Sequence, residues 1–230
     1  MSVPWRTPES LRRLHSLTGM IPLGAFLLEH IAVNATGLGG PEAFRPVARF
    51  LRHLPLVGAL EIALIAVPLA LHGLIGVLIA TEVNEAGRPD WPDRRAAIQR
   101  LTGLLLLPYL LYHVWATRLS PEVVRRGADL FDVMARQLVT PGGLAFHVVG
   151  VSLVAWHFGN GLRGFATRWG LARTPEAQRA AERAGLALAA VLAAVAIASL
   201  LAFARHAPEI VARAGGPGFA GYPPGPGAPR

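Results

Sequence analysis

The sequence predicts an all-α, polytopic membrane protein with five transmembrane helices, and two observations support this fold class. Hydrophobic residues make up 53% of the 230-residue chain, charged residues only 16%, and the mean hydropathy is +0.43, which is atypical of a soluble domain. Five apolar segments are close to the roughly 20 residues that a helix needs to cross a bilayer. Each segment should be helical, because only helices and closed barrels satisfy their backbone groups in lipid. The segments are residues 14–35, 56–80, 99–117, 142–162 and 185–204.

The first segment follows a basic entry and is expected to remain in the protein as a transmembrane span. Arg6, Arg12 and Arg13 precede its apolar part, as they would in a signal peptide. However, the segment contains Glu29 and His30 and lacks a small-residue cleavage site at its end. It is therefore interpreted as a retained helix.

The next three segments each contain a histidine near the middle or the far end that is about 42 residues from the one before it. These are His72, His113 and His157, whereas the fifth segment has no histidine before His206 at its end. We therefore expect the first four helices to form a four-helix bundle around a shared site, with the fifth as a peripheral helix.

Two further regions lie outside the spans. Residues 120–140 alternate apolar and charged residues, which predicts one short amphipathic helix along the membrane surface. Residues 215–230 are rich in glycine and proline and cannot bury a core, so we expect a disordered tail. Residues 1–214 would then form a single membrane domain.

Composition also restricts the chemistry and the partners. The chain has no cysteine, which excludes disulfides, iron-sulfur clusters and thiolate-bound metals. Its net charge of +8 arises from arginine alone, and these arginines lie in the connections and tails. Membrane lipid and acidic partners fit this distribution better than nucleic acid, so we expect no nucleic-acid binding. The arginine distribution slightly favours a cytoplasmic N-terminus.

Four histidines recur at intervals of about 42 residues, one in each of the first four spans. Successive spans run in opposite directions. With the N-terminus inside, His30 and His113 both lie about 20 Å from the inner side at 1.5 Å per residue. By the same count, His72 and His157 are level with each other and nearer the inside. The histidines therefore form two pairs, separated by about 10 Å along the membrane normal.

A histidine inside a membrane helix is costly unless it pairs, lines a water-filled path or binds a ligand. Two pairs at two depths favour two stacked, six-coordinate haems, an arrangement suited to electron transfer across the bilayer. Packed histidines or a proton path remain the simpler alternatives. Gly19 and Gly150 share helix faces with His30 and His157, where a missing side chain would admit the edge of a flat ring.

The segment from Arg12 to Ala35, RRLHSLTGMIPLGAFLLEHIAVNA, combines a basic entry, a His-Ser pair and a histidine near its far end. Together with the spaced histidines, it resembles the single-chain, five-helix, di-haem cytochrome b subunits of bacterial succinate dehydrogenases and fumarate reductases that use menaquinone. The resemblance extends from residue 12 to about residue 205.

This resemblance implies two haem b groups. His72 and His157 would be the axial iron ligands of a proximal haem near the cytoplasm, and His30 and His113 those of a distal haem near the outer face. It also implies the bacterial cytoplasmic membrane as the location. The partners would be a flavoprotein subunit with covalent FAD and an iron-sulfur subunit, which carry out the succinate and fumarate chemistry. The chain would pass electrons between them and menaquinone within complex II.

In this family an acidic residue near the distal haem takes part in quinone binding, and Glu61 is our candidate. It lies 11 residues before His72, on the same helix face and at about the depth of the outer histidines. A carboxylate there suits proton exchange with a quinone. Glu29 and Glu42 are the other candidates. Ala155 replaces a glutamate that precedes the last ligand in some members, which puts a proton path through that position in doubt.

Four residues at the cytoplasmic entry of the first span are candidates for contact with the proximal haem's propionates. They are Arg12, Arg13, His15 and Ser16, which could act as charge-assisted hydrogen-bond partners. The alternative is ordinary positive-inside anchoring with a helix start at Ser16. His147, ten residues before His157, could reach the distal haem or quinone, or simply hydrogen-bond a neighbouring helix.

Two other functions remain open on the sequence. A stand-alone transmembrane di-haem cytochrome b, of the ascorbate or ferric reductase type, would also pair four histidines but needs no flavoprotein partner. A proton or metal transporter would use buried histidine and glutamate side chains without haem.

Overall fold

The computed structural model describes residues 6–83 and 94–213, and this part of the chain is almost entirely helical. The predicted all-α class is confirmed. The predicted disordered tail, residues 215–230, lies outside the described residues. The α-helices of the described part are α1 Glu9–Met20, α2 Pro22–Ala35, α3 Pro41–Arg52, α4 Val57–Glu61, α5 Val67–Ala80, α6 Arg94–Val114, α7 Pro121–Val124, α8 Leu130–Gln137, α9 Pro141–Arg168 and α10 Pro175–Arg213.

In the described residues, four helical stretches are long and apolar enough to cross a membrane. They are Glu9–Gly39, Val57–Ala80, Pro141–Arg168 and Pro175–Arg213, and they correspond to the first, second, fourth and fifth predicted spans. The third predicted span, 99–117, is also helical, as α6 and the π turn that follows it. It is not among these four, because Pro108, His113 and its tyrosines lower the mean hydropathy of this helix.

The first span is bent because α1 and α2 meet at a proline. Pro22 carries no N–H, so it cannot donate to the carbonyl one turn earlier as a residue inside a helix would. Hydrogen bonds from Ile21 N to Leu17 O, 2.9 Å, and from Ala25 N to Ile21 O, 3.0 Å, connect the two helices across the bend. The bend lies between the two histidines of this span.

The second span changes its hydrogen-bond register just before Pro68. In the π turn Ile62–Ala66, the Val67 N–H bonds to the Ile62 carbonyl, five residues back instead of four. Pro68 has no N–H with which to continue the α-helical pattern, and π turns absorb such a discontinuity by adding one residue. The extra residue changes the direction in which Glu61 points relative to α5. A second π turn, Trp115–Leu119, follows α6.

Four helices surround the centre of the molecule. α1 packs on α5 and α9, α6 packs on the same two helices, and α2 continues from α1. The predicted fifth span, α10, lies beside this group and packs on α9, α8 and α2. Its approach to α9 is close because Gly159 and Gly185 face each other, and a Cβ on either would overlap the other's backbone. We call the end with the start of α1 and the end of α9 the inner end, and the opposite end the outer end.

Short helices cover the outer end of the bundle. Phe44 of α3, Phe131 of α8 and Phe203 of α10 pack into one core cluster. The prediction of a single surface helix over residues 120–140 is wrong, because the chain forms two helices there, α7 and α8, and Phe131 is 0% exposed. An amphipathic pattern predicts a buried face but does not reveal whether lipid or protein covers it. Here α10 and α3 cover it.

Candidate functional site

Two pairs of histidines meet inside the bundle. The inner pair is His72 of α5 and His157 of α9, whose ring centroids are 6.1 Å apart with planes at 86°. The outer pair is His30 of α2 and His113 of α6, with centroids 5.9 Å apart and planes at 87°. The structure thus brings together the same partners that the depth count paired.

Both separations fit a metal ion held between two imidazoles. A bond of about 2 Å from metal to nitrogen, plus about 1 Å from nitrogen to ring centre, places two opposed ring centres about 6 Å apart. Edge-to-face packing alone gives similar separations, so the nitrogen atoms have to be considered. Within the described residues, histidine, aspartate and glutamate side chains form no metal-binding group of three or more. His72 with His157 and His30 with His113 each form one pair of nearly perpendicular rings, and two imidazoles match the two axial positions of a haem iron.

The Nδ1 atom of His72 is already engaged, which leaves Nε2 for a ligand. It lies 2.9 Å from the backbone carbonyl of His15, and the Nδ1 of His15 lies 2.9 Å from the carbonyl of His72. A carbonyl oxygen only accepts hydrogen bonds, so each Nδ1 carries the proton. The His72 ring also packs where Gly19 has no side chain. Gly19 therefore admits His72, rather than lying beside His30 as the sequence suggested.

His157 is oriented in a comparable way by α6. Its Nδ1 lies 3.2 Å from the hydroxyl of Thr102. Because that hydroxyl donates its own proton to the Gln99 carbonyl at 3.0 Å, its oxygen is free to accept the N–H of His157. The Gln99 amide donates to the His157 carbonyl at 3.0 Å, and Gly103 leaves room for the ring. Ligating histidines commonly donate their second N–H in this manner.

At the inner end, Arg12 forms an ion pair with both carboxylate oxygens of Glu82, which is only 1% exposed. The Thr7 N–H donates to the same carboxylate at 2.7 Å, and an Arg100 nitrogen lies 3.8 Å from it. Burial favours a higher pKa for Glu82, but the bonds from Thr7 and Arg12 outweigh it and hold that pKa below its ordinary value. Glu82 is therefore an anion that Arg12 clamps.

The other predicted propionate contacts occupy different surroundings. Arg13 is more than half exposed, with its Nε 3.6 Å from Glu9. Ser16 is partly exposed on α1. His15 lies against the inner histidine pair, with its ring stacked on that of His72.

His147 lies beside the outer pair and is 1% exposed. Its Nε2 is 3.2 Å from the Gln137 side-chain oxygen, its Nδ1 is 3.5 Å from the Tyr109 hydroxyl, and its ring centroid is 6.3 Å from that of His113. His147 thus hydrogen-bonds side chains of two neighbouring helices, α8 and α6, which is one of the roles that the sequence suggested. Gly150, expected beside His157, instead admits the ring of Tyr109.

A small cavity opens at the outer end between the second and third spans. Its volume is about 220 Å³, and its walls include Arg52, Val57, Glu61, Thr117, Arg118, Val123 and Leu130. Glu61 is paired in this cavity, because Arg118 donates to its carboxylate at 2.6 and 3.1 Å. Each residue lies at a π turn, Glu61 just before one and Arg118 within the other. π turns are frequent at functional sites.

The two other candidate acids differ from Glu61. The Glu42 side chain is 91% exposed and pairs with Arg45. Glu29 is an exposed residue of α2. Of the three acids, Glu61 is the one that lines the cavity.

Comparison with known proteins places the chain in a family. No family model matches it. Over 195 residues, which cover 84% of this chain and 95% of the relative, it is 41% identical to the succinate dehydrogenase cytochrome b558 subunit of Bacillus subtilis (strain 168). The chain belongs to the succinate dehydrogenase cytochrome b subunits. This confirms the resemblance predicted from the sequence and the role of membrane-anchor subunit in complex II. A stand-alone cytochrome and a transporter are both disfavoured.

Sequence reasoning missed several residues of this cytochrome b subunit. Arg118 could have been found, because it follows His113 by five residues and must lie near the same end of the bundle as Glu61. Glu82 follows the second span, and a carboxylate opposite the arginines of the first span was a predictable ion pair. Thr102 and Gln99 gave no distinctive signal, since polar residues one turn apart near a helix start are common.

Proposed function

We propose that this cytochrome b subunit binds two haem b groups and conducts electrons between its partner subunits and a membrane quinone. His72 and His157 would hold the inner iron, and His30 and His113 the outer iron. The main support is that these histidines meet in two pairs with centroid separations of 6.1 and 5.9 Å. When bound, each haem supplies a one-electron carrier. The chain supplies the ligands and fixes their second nitrogens at the inner site.

The proposed topology has five spans in the bacterial cytoplasmic membrane, with the N-terminus and the inner end in the cytoplasm. Four helices of suitable length and composition support it, together with α6 as the remaining span. The partners would be the flavoprotein with covalent FAD and the iron-sulfur protein, both docked on the inner end. The chain itself would carry out no dicarboxylate chemistry, and electrons would reach it at the inner haem.

The quinone, menaquinone in this proposal, would place its head group in the outer cavity. Glu61 and Arg118 supply complementary chemistry there, since a guanidinium donates to a quinone oxygen while a carboxylate exchanges a proton. Reduction of a quinone to a quinol takes up two electrons and two protons, so the site needs such a group. A volume of about 220 Å³ admits a ring, and the apolar tail of the quinone would extend into lipid.

The haem proposal is tested by a redox titration of the purified complex, with each of the four histidines replaced by alanine in turn. Two components are expected in the haem band, one lost in the His72 and His157 variants and the other in the His30 and His113 variants. His53, an exposed histidine outside both pairs, provides the control substitution. Retention of both components in all four variants would refute the proposal.

The quinone proposal is tested with Glu61→Gln. Succinate oxidation coupled to a menaquinone analogue should fall by about 100-fold, the lower end of what general acid-base groups contribute. Electron transfer from succinate to a soluble dye, which bypasses the quinone, should be unchanged. Glu42→Gln removes an exposed carboxylate from the same end of the bundle and should affect neither reaction. Unchanged quinone reduction in Glu61→Gln would exclude this site.

A further inference from the structure

His15 and His72 form a nearly symmetric pair between two antiparallel helices. Their rings stack with centroids 3.9 Å apart and planes at 13°. Each ring also bonds to the other residue's backbone, and both Nδ1 to carbonyl distances are 2.9 Å. The side chain of each histidine is thus fixed by the helix that carries the other.

The local sequences explain this symmetry. HSLTG at 15–19 and HGLIG at 72–76 both place a glycine four residues after the histidine, on the same helix face. A Cβ at Gly19 would overlap the His72 ring, and a Cβ at Gly76 would lie 3.0 Å from the Cε1 atom of His15. Each helix therefore offers one ring and one space that receives the other ring.

This arrangement constrains His72 more strongly than a single hydrogen bond would. The bond from Nδ1 to the His15 carbonyl fixes the tautomer and leaves Nε2 as the nitrogen with a lone pair. The stacked His15 ring restricts rotation of the His72 plane, which stands at 86° to the plane of His157. Since ring orientation and the second-nitrogen bond both influence a ligand's strength, His15 acts on the inner site through His72.

We propose that His15 is a positioning residue for the inner haem: its stacked, hydrogen-bonded ring holds the ligand His72 in the plane and tautomer that the iron requires. This inference rests on the proposed role of His72 as an axial ligand. It assigns His15 to the ligand itself, in place of the propionate contact suggested by the sequence.

Three variants of the intact complex separate the parts of this role. His15→Ala removes the stacked ring and the bond from its Nδ1, while the carbonyl of residue 15 still accepts from His72. His15→Phe keeps a flat ring but cannot donate. Gly76→Ala keeps both histidine side chains and shifts only the His15 ring, by a few tenths of an ångström, whereas its symmetric counterpart Gly19→Ala displaces the ligand itself.

The readouts are the midpoint potential of each haem component and the low-spin ferric electron paramagnetic resonance signal. In His15→Ala and Gly76→Ala, the inner component should shift in potential and its resonance should become less anisotropic, because the ligand planes leave their perpendicular arrangement. The outer component should not change. His15→Phe should show a smaller effect than His15→Ala, and Gly19→Ala should lose the inner component. His53→Ala, at an exposed histidine, should match the wild type.

Several results would overturn this role. An inner component identical to the wild type in both His15→Ala and Gly76→Ala would do so, as would equal loss of both haems without a shift in either potential. A shift in potential with an unchanged resonance would assign His15 to the haem edge instead. His72→Ala separates the two proposals: if it retains both haem components, the proposed ligand set fails, whereas an inert His15 beside an essential His72 removes only this inference.

Discussion

Replacing Thr102 with valine removes a single hydroxyl from the inner site and keeps nearly the same side-chain shape. Thr102 is 6% exposed, and its hydroxyl lies 3.2 Å from the Nδ1 of His157. In the proposed function Nδ1 is protonated, because the other nitrogen of the same ring, Nε2, binds iron. Thr102→Val therefore leaves a buried N–H without its acceptor while the ring and helix packing remain.

Two independent estimates give the expected size of the effect. A buried donor that loses its partner costs about 1–3 kcal/mol. Loss of an outer-sphere hydrogen bond to a metal-ligating histidine typically lowers metal affinity by about 10 to 100-fold, which equals about 1.4 to 2.8 kcal/mol. The two ranges coincide. We therefore expect haem affinity at the inner site to fall by about 10 to 100-fold, with little change at the outer site.

The assay measures haem retention and rebinding at each site. Purified complexes are exposed to a soluble haem-binding protein as an acceptor, and the loss of each component is followed from its reduced absorption band. Thr102→Ser retains the hydroxyl and should remain close to the wild type. Thr81→Val removes an exposed hydroxyl that donates to the Val77 and Leu78 carbonyls of α5, so it controls for general destabilisation. Wild-type haem retention in Thr102→Val would show that this hydroxyl does not support His157.

Three further predictions concern other parts of the molecule. The two histidine pairs have nearly perpendicular ring planes, so the two proposed haems should both give strongly anisotropic low-spin ferric resonance signals. Ordinary rhombic signals from both would contradict these orientations. Gly159→Ala should destabilise the contact between α9 and α10 by about 1–3 kcal/mol, because the new Cβ would overlap Gly185. Thermal unfolding measures this loss, and the control Gly164→Ala, where a Cβ meets open space, should lose far less stability. The pKa of Glu82 is lowered, so its bonds to Arg12 stabilise the fold above the ordinary carboxyl pKa and are lost as the pH falls through the lowered value. The difference in Tm between wild type and Glu82→Gln should therefore shrink in acid. A difference that stays constant with pH would contradict this.

The sequence allowed the helices and the histidine pairs to be predicted for one physical reason. Hydropathy and length identify a span, and antiparallel succession then fixes the relative depth of residues on different spans. His30 with His113, and His72 with His157, follow from that count alone. The bounds were less accurate, because helices such as α10, Pro175–Arg213, continue well beyond the apolar stretch 185–204 that predicted them.

Contacts between helices could not be predicted in the same way. Helical periodicity gives the face that a residue occupies on its own helix, but not the neighbour that the face meets. Gly19 was therefore assigned beside His30, whereas it receives His72 from α5. The same limit applied to Phe131, whose apolar face suits lipid or protein equally well in the sequence.

The two ends of the bundle differ in a way that agrees with the proposed positions of the partner subunits and the quinone. At the inner end, regular helices hold the His72 ring through a backbone hydrogen bond and the His157 ring through the Thr102 hydroxyl, and glycine spaces receive both rings. This favours a fixed carrier next to the proposed partners. At the outer end, two π turns interrupt the helices beside Glu61 and Arg118, and a cavity opens there. A carrier that never leaves needs rigid ligands, whereas a quinone that enters and leaves needs a site whose ion pair can open. Rigidity and irregularity therefore lie at the ends where the proposed chemistry requires each of them.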